Sequence, residues 1–293
     1  MITIFFGGNG FVGKNCDIKA FRPSSEWCDL LDYGSTYYYL QQFKNEKISI
    51  INAAAYVAGF TYNKNRNVEM LYRNSLIALN LMRAIKELDI SCYYLYVSSV
   101  CGYKDGNDTE DLIFNGEPCE NNYGYGMAKR LGIATTRSLE IDLGDKIKVC
   151  NLIPTNMAGK QDDFSDETSH FVPAIIKKMR RGDAEINVLG NSNNLRDFLY
   201  VGDLGKVIEQ CVEKQITGTY NVSSGIQTSI SDAVDTIKEV FNYSGKINKT
   251  FYNNPEARKV NNSKLKSVIE FIPTPFIDGL KLTKEWLENA KHT

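Results

Sequence analysis

The sequence predicts an α/β fold: a doubly wound parallel sheet with helices on both faces, plus a smaller C-terminal domain. Three observations predict it. Short apolar runs alternate with longer helical stretches through the first half, which implies parallel strands joined by right-handed crossovers. Those runs are apolar on both faces, as strands buried between two helix layers are. A glycine-rich turn follows the first run at once. The chain has 293 residues and is 43% hydrophobic, enough for one large unit with a smaller partner.

Taken in order, ITIFF (2–6), SIINA (49–53), YYLYV (93–97) and KVCNLI (148–153) read as strands. Helices are expected at about 35–45, 67–88 and 122–142. After Ile153 the rhythm weakens into the polar stretch PTNMAGKQDDFSDETSH. A helix near 171–181, the run EINVLG, a helix near 202–214, the strand TYNVS (219–223) and helices near 229–242 and 275–290 follow. Residues 1–155 are expected to form the main domain and 156–293 mostly the second. The chain should return to the main sheet around 195–225.

Composition removes several function classes. Net charge is −1 and the pI about 6.2, with no basic stripe for a nucleic acid. MITIFF is too short for a signal peptide, and no apolar run reaches membrane-spanning length. The seven cysteines are scattered without a C-x-x-C pair. That argues against a disulfide framework and a zinc site, and for a cytoplasmic protein without a metal. Of two histidines, His292 is in the terminal tail, so imidazole chemistry falls to His170.

The turn after the first strand reads Gly7-Gly8-Asn9-Gly10-Phe11-Val12-Gly13. It fits Gly-x-x-Gly-x-x-Gly from Gly7 and Gly-x-Gly-x-x-Gly from Gly8. Such a turn in a Rossmann-like fold lets backbone approach a dinucleotide diphosphate, so Gly7, Gly10, Phe11, Val12 and Gly13 are expected at a cofactor. Only Lys14, Asn15, Cys16 and Asp17 separate Gly13 from the next apolar residue, Ile18. A crossover needs about ten residues or more, so the first helix is short or the second strand displaced. Arg22, with Ser24 and Ser25, stands near the inferred strand end where a 2′-phosphate would bind, which favours NADP(H). Ala53 and Ala54, after Asn52, leave room for the dinucleotide.

The third run ends in LYVSSVCGYK, with Ser99, Cys101 and Tyr103 at alternate positions. Farther on, Tyr125-x-x-x-Lys129 puts a phenol and an ammonium on one helix face. A lysine beside a tyrosine favours tyrosinate and makes the hydroxyl a better proton carrier near neutrality.

These pieces together resemble the extended short-chain dehydrogenase/reductases, and within them the GDP-L-fucose synthase branch. The matching segments are NAAAYVAG (52–59), SSVCGY (98–103), YGMAKRLG (125–132), PTNMAG (154–159), SHFVPAIIKK (169–178) and LRDFLYVGDL (195–204). The chain departs from that branch in a shorter 6–35 region and in Asn9, where a basic residue is usual. The resemblance implies catalytic roles for Ser99, Tyr125 and Lys129, and an epimerising pair in Cys101 and His170. Lys129 would also hold the cofactor ribose. Asn156 is expected at the cofactor or the sugar, and Lys178, Arg196 and Arg258 at the substrate. The implied activity is NADPH-dependent 3,5-epimerisation and 4-reduction of a nucleotide-linked 4-keto-6-deoxy sugar.

Two other readings stay open on the sequence: a C4 reductase or an enzyme for a related sugar, such as a GDP-6-deoxy-4-keto-heptose, and a non-catalytic dinucleotide sensor. A 4,6-dehydratase fits worse, because Val100 and Cys101 stand where its acidic pair would. Helices 67–88 and 122–142 carry apolar residues on more than one face, among them Met70, Leu71, Leu76, Ile77, Leu79 and Met82. This predicts a homodimer through a four-helix bundle.

Overall fold

A computed structural model describes residues 1–57, 59–106, 109–257 and 259–289. Along the chain come β1 (Ile2–Phe6), α1 (Tyr33–Gln41), β2 (Ile48–Asn52), α2 (Phe60–Asn65), α3 (Asn67–Glu87) and β3 (Cys92–Val97). Next are α4 (Tyr123–Leu143), β4 (Ile147–Pro154), β5 (Asn156–Ala158), α5 (Phe171–Arg181), β6 (Glu185–Asn187), β7 (Leu195–Arg196) and β8 (Phe198–Tyr200). The rest is α6 (Val201–Lys214), β9 (Gly218–Val222), β10 (Thr228–Ser229), α7 (Ile230–Val240), β11 (Lys246–Asn248), α8 (Ser263–Lys266) and α9 (Phe276–Asn289).

The main sheet has five parallel strands in the order β1-β2-β3-β4-β9. Successive residues of β1 alternate between its faces, as a period of two requires. Phe5 joins a core with Tyr93, Leu95, Cys150, Leu152 and the α6 residues Leu204, Val207, Ile208 and Cys211. Ile4 and Phe6 join the opposite core, with Leu40 of α1, Leu81 and Ile85 of α3, and Leu139 of α4. A third core gathers α5, α7 and α9 around Ile176, Phe198, Val234, Ile237 and Leu280. Among the described residues no helix is long and apolar enough to cross a membrane.

The short segment after the glycine turn resolves as both alternatives at once. The crossover helix is a single 3-10 turn, Gly13–Asn15. The second strand is one residue, Phe21, bridged to the outer edge of β1. Phe5 N donates to Phe21 O at 2.8 Å and Phe21 N to Thr3 O at 2.9 Å. The chain still leaves β1 in both directions, toward Phe21 on one side and β2 on the other, so the switch point that makes a binding crevice is kept.

Helix α4 lies unusually close to its neighbours because glycine stands at three contacts. A Cβ on Gly124 would sit 2.0 Å from Asn67 O, on Gly126 2.3 Å from Cys101 O, and on Gly132 2.1 Å from the Tyr96 ring. No side chain fits at those distances. The glycines therefore set how near α4 comes to α3, to the Cys101 turn and to β3.

Candidate active site

Four of the expected residues meet where β3 ends. Ser99 caps a 3-10 turn, Val100–Gly102, its Oγ accepting from Cys101 N at 3.2 Å. The same hydroxyl is near enough to the Tyr125 phenol to favour its ionised form. Cys101 is half-buried and close enough for a charge on it to act on both Tyr125 and Lys129. Lys129 is buried and donates from Nζ to Val97 O at 2.9 Å. Its ammonium is 5.6 Å from the Tyr125 ring centroid and 5.2 Å from that of Tyr96.

Burial dominates the electrostatics here. It raises the Tyr125 phenol above its ordinary range, with Cys101 adding to the rise and the Ser99 hydrogen bond opposing it. It pushes Lys129 down to about 8, with Cys101 opposing. The simple expectation that the lysine would favour tyrosinate therefore does not hold. Lys129 points at a backbone carbonyl, and the low-dielectric surroundings disfavour both charges. Tyr125 is a neutral phenol at pH 7, suited to giving a proton.

His170 stands at the N-terminus of α5. Burial lowers its proton affinity, while the charge of Asp163 opposes that. Asp163 accepts from Ser165 N at 2.8 Å, from Ser165 Oγ at 3.0 Å and from the Thr168 hydroxyl. The segment is docked on the loop after β2, where Gly59 N donates to Thr168 O at 2.7 Å. A Cβ on Gly59 would be 2.4 Å from Ser169 O.

The loop after β2 is itself clamped by two buried asparagines. Asn52 accepts from Ala54 N at 3.2 Å and donates to Tyr94 OH at 3.1 Å. Asn74 accepts from Tyr56 N and donates to Tyr56 O, both at 3.0 Å. Gly7 packs on this loop, since a Cβ there would be 2.6 Å from Ala53 C and Ala54 N. The glycine turn forms a cradle that fits a dinucleotide diphosphate. Gly13 and Gly8 touch so closely that a Cβ on Gly13 would be 2.3 Å from Gly8 Cα. Among the described residues no protein acceptor takes the N–H of Phe11 or Val12.

Arg22 was expected to offer its charge to a 2′-phosphate. Instead its guanidinium turns inward and donates to four backbone carbonyls. Arg196 pairs with Glu256 at 2.7 Å. Asn156 is exposed, with Nδ2 held by Asp197 O at 3.0 Å. Lys178 is half-buried on α5, and Arg258 lies outside the described residues.

Besides Asn52 and Asn74, two supporting residues were not anticipated. Asp197 is buried and accepts from Thr155 Oγ1 and Ser224 N at 2.9 Å and from Gly225 N at 2.8 Å, tying together the ends of β4 and β9. Arg130, one residue past Lys129, donates to the carbonyls of Gly102, Gly116 and Asn115. Both lie inside motifs already quoted, and their polarity in otherwise buried stretches was the available signal.

The model of the NAD dependent epimerase/dehydratase family matches residues 14–223. The chain belongs to that family. GDP-L-colitose synthase of Yersinia pseudotuberculosis, a similar protein, is 32% identical over 263 residues, covering 84% of this chain and 83% of its own. Among solved structures of this fold, a GDP-6-OMe-4-keto-L-xylo-heptose reductase from C. jejuni superposes with a TM-score of 0.86 at 18% identity, covering 99% and 98% of the two chains. A GDP-L-fucose synthetase from Naegleria fowleri bound to NADP does so with 0.84 at 22%, covering 100% and 94%. The epimerase/dehydratase match begins just after Gly13, where the crossover is cut to one turn.

Proposed function

We propose that this chain is an NADP(H)-dependent epimerase/reductase for a GDP-linked 4-keto-6-deoxy sugar, converting GDP-4-keto-6-deoxy-mannose to GDP-L-fucose. The observation that carries the reading is the meeting of Ser99, Tyr125, Lys129 and Cys101 at the end of β3. The names of the relatives support the GDP-sugar class, and the NADP-bound relative supports the cofactor. NADP(H), when bound, supplies the hydride for C4.

The protein's own groups account for the rest. A 4-keto group acidifies the C–H bonds at C3 and C5. Cys101 and His170 are the proton carriers for those carbons, since a thiol and an imidazole titrate near enough to neutrality. Ser99 and Tyr125 hold O4 and stabilise the charge that builds there during enolisation. Tyr125 then protonates O4 during reduction. The glycine turn with Ala53 and Ala54 holds the diphosphate. Lys129 orients the ribose, and Asn156 serves the nicotinamide end or the sugar. Lys178, Arg196 and Arg258 are assigned to the substrate diphosphate, for which Arg196 must give up Glu256.

A second reading keeps the nucleotide and the reduction but changes the sugar to a heptose. The overlap with the C. jejuni heptose reductase favours it. The test is NADPH consumption with GDP-4-keto-6-deoxy-mannose and GDP-6-deoxy-4-keto-heptose side by side. Turnover of the first to GDP-L-fucose supports the main reading, turnover of only the second supports the alternative, and turnover of neither overturns both.

The same proposal divides the chain at residue 155 into a cofactor-binding and a mainly substrate-binding part. It also places the protein in the cytoplasm as a homodimer. Val68 and Tyr72 of α3 and Ile141 of α4 are exposed on the two helices expected to pair. A monomeric mass in solution at micromolar concentration would remove the dimer.

A further inference from the structure

We propose that Arg22 replaces the missing crossover helix as the support of the phosphate loop, serving the diphosphate common to both dinucleotides rather than the 2′-phosphate that distinguishes them. This rests on the dinucleotide reading above.

The guanidinium sits inside the loop. Nη1 donates to Gly8 O at 3.1 Å and Gly13 O at 2.7 Å, and Nη2 donates to Cys16 O at 2.7 Å and Ile18 O at 3.2 Å. Four carbonyls from both ends of the turn thus converge on one planar cation. The cation also lies 5.4 Å from the ring centroid of Phe5, which fixes it to the core of β1. Its main chain is equally committed: Arg22 O accepts from Asn9 Nδ2 at 3.1 Å, and neighbouring Phe21 bridges β1. Gly8 makes room for the side chain, since a Cβ there would be 2.7 Å from Arg22 Cγ.

Arg22 holds Gly8 O and Gly13 O from inside and so fixes the shape of the turn between them. There the N–H groups of Phe11 and Val12 take no protein acceptor among the described residues and can form an anion site. In an ordinary dinucleotide fold the first turns of a long helix keep that arrangement. Here the helix is three residues, and Arg22 holds the carbonyls while α6 closes from the other side. A Cβ on Gly205 would be 1.9 Å from Asn15 O. The half-buried positive charge adds attraction for any diphosphate in the cradle. Lysine substitutes only in part, because a point-like ammonium with three donors does not match four carbonyls around a plane.

The test compares Arg22→Met and the milder Arg22→Lys with wild type by calorimetric titration of NADPH and of NADH. Amide hydrogen exchange over residues 7–16 is measured on the free proteins. The expected result is a loss of affinity of about tenfold or more for both dinucleotides, by the same factor. Exchange should be faster in the loop, and Arg22→Lys should be only partly restored. Loss confined to NADPH would make Arg22 a 2′-phosphate ligand and overturn the proposal. A lower Tm with both affinities unchanged would reduce it to a scaffold contact and overturn it as well. Wild type binding neither dinucleotide would overturn the cofactor reading, and this inference with it.

Discussion

Arg130 donates its Nε–H to the carbonyl of Gly102 at 2.5 Å, one residue past Cys101. The same guanidinium reaches Gly116 O at 2.6 Å. It thereby locks the turn that carries the thiol to the helix that carries Tyr125 and Lys129. Arg130→Met should slow solvent-deuterium exchange at C3 and C5 by ~10–100-fold, as sub-ångström misplacement of a reacting group does. Reduction of a sugar already in the right configuration should fall less. Equal loss of both activities would show that Arg130 supports the whole fold rather than the thiol.

Tyr125→Phe should lower the reduction rate by ~10²–10⁴-fold, the usual contribution of a general acid. Dinucleotide affinity should be unchanged, because the phenol is not part of the cradle. Stopped-flow NADPH oxidation with parallel binding titrations checks both halves. Turnover within about tenfold of wild type would exclude Tyr125 as the acid.

Cys101→Ala should stop deuterium entering C3 and C5 while a correctly configured 4-keto sugar is still reduced. His170→Ala should slow the return of the proton more than its removal, so singly epimerised material should accumulate. Both are followed by mass spectrometry in D₂O without NADPH. Wild-type exchange in Cys101→Ala would make the thiol a spectator.

Lys129 should set an alkaline limit on reduction. Its folded proton affinity is lowered to about 8, so the ammonium is present below that pH and lost above it. kcat for reduction should be flat from pH 6 to 7.5 and decline through about 8 to 9. A profile flat to pH 10 would show that the ammonium charge is not required.

Asp162 should make stability pH-dependent. One carboxyl oxygen, Oδ2, is buried and accepts no hydrogen bond among the described residues, and burial raises the group to about 7. Because the folded pKa exceeds the unfolded one, the fold favours the protonated acid. The stabilisation is full below the unfolded pKa and is lost as pH rises through about 7. Asp162→Asn should therefore raise Tm at pH 8 more than at pH 5, by roughly 2–4 °C for each kcal/mol regained. Equal shifts at the two pH values would contradict this.

The regular parts of the molecule were legible because periodicity reports them directly. The stretch expected at 67–88 is the helix Asn67–Glu87, and the strand expected at 148–153 is Ile147–Pro154. The glycine turn and the Tyr125–Lys129 spacing were equally visible, because both work through local geometry. Residues 14–25 were not, since a one-residue strand and a 3-10 turn carry no period. The orientation of Arg22 depends on four carbonyls that only the folded loop brings together. Asn52, Asn74 and Asp197 were missed for a similar reason. Each is a single polar side chain with backbone groups among its partners, and backbone groups leave no trace in residue identity. Arg196 was visible as a cation, but its commitment to Glu256 joins positions 60 residues apart.

The hydrogen bond from Gly59 to Thr168 gives the two halves of the proposed site a shared thermodynamic ledger. It fastens the loop behind Ala53 and Ala54 to the segment that ends in His170. Ordering either one restricts the other, so the entropy lost on filling one side need not be lost again on filling the second. Such linkage is reciprocal: the factor by which dinucleotide tightens the sugar nucleotide equals the factor by which sugar nucleotide tightens the dinucleotide. A side chain at position 59 would wedge the two loops apart and bring that factor toward one, leaving two sites that each bind but no longer cooperate.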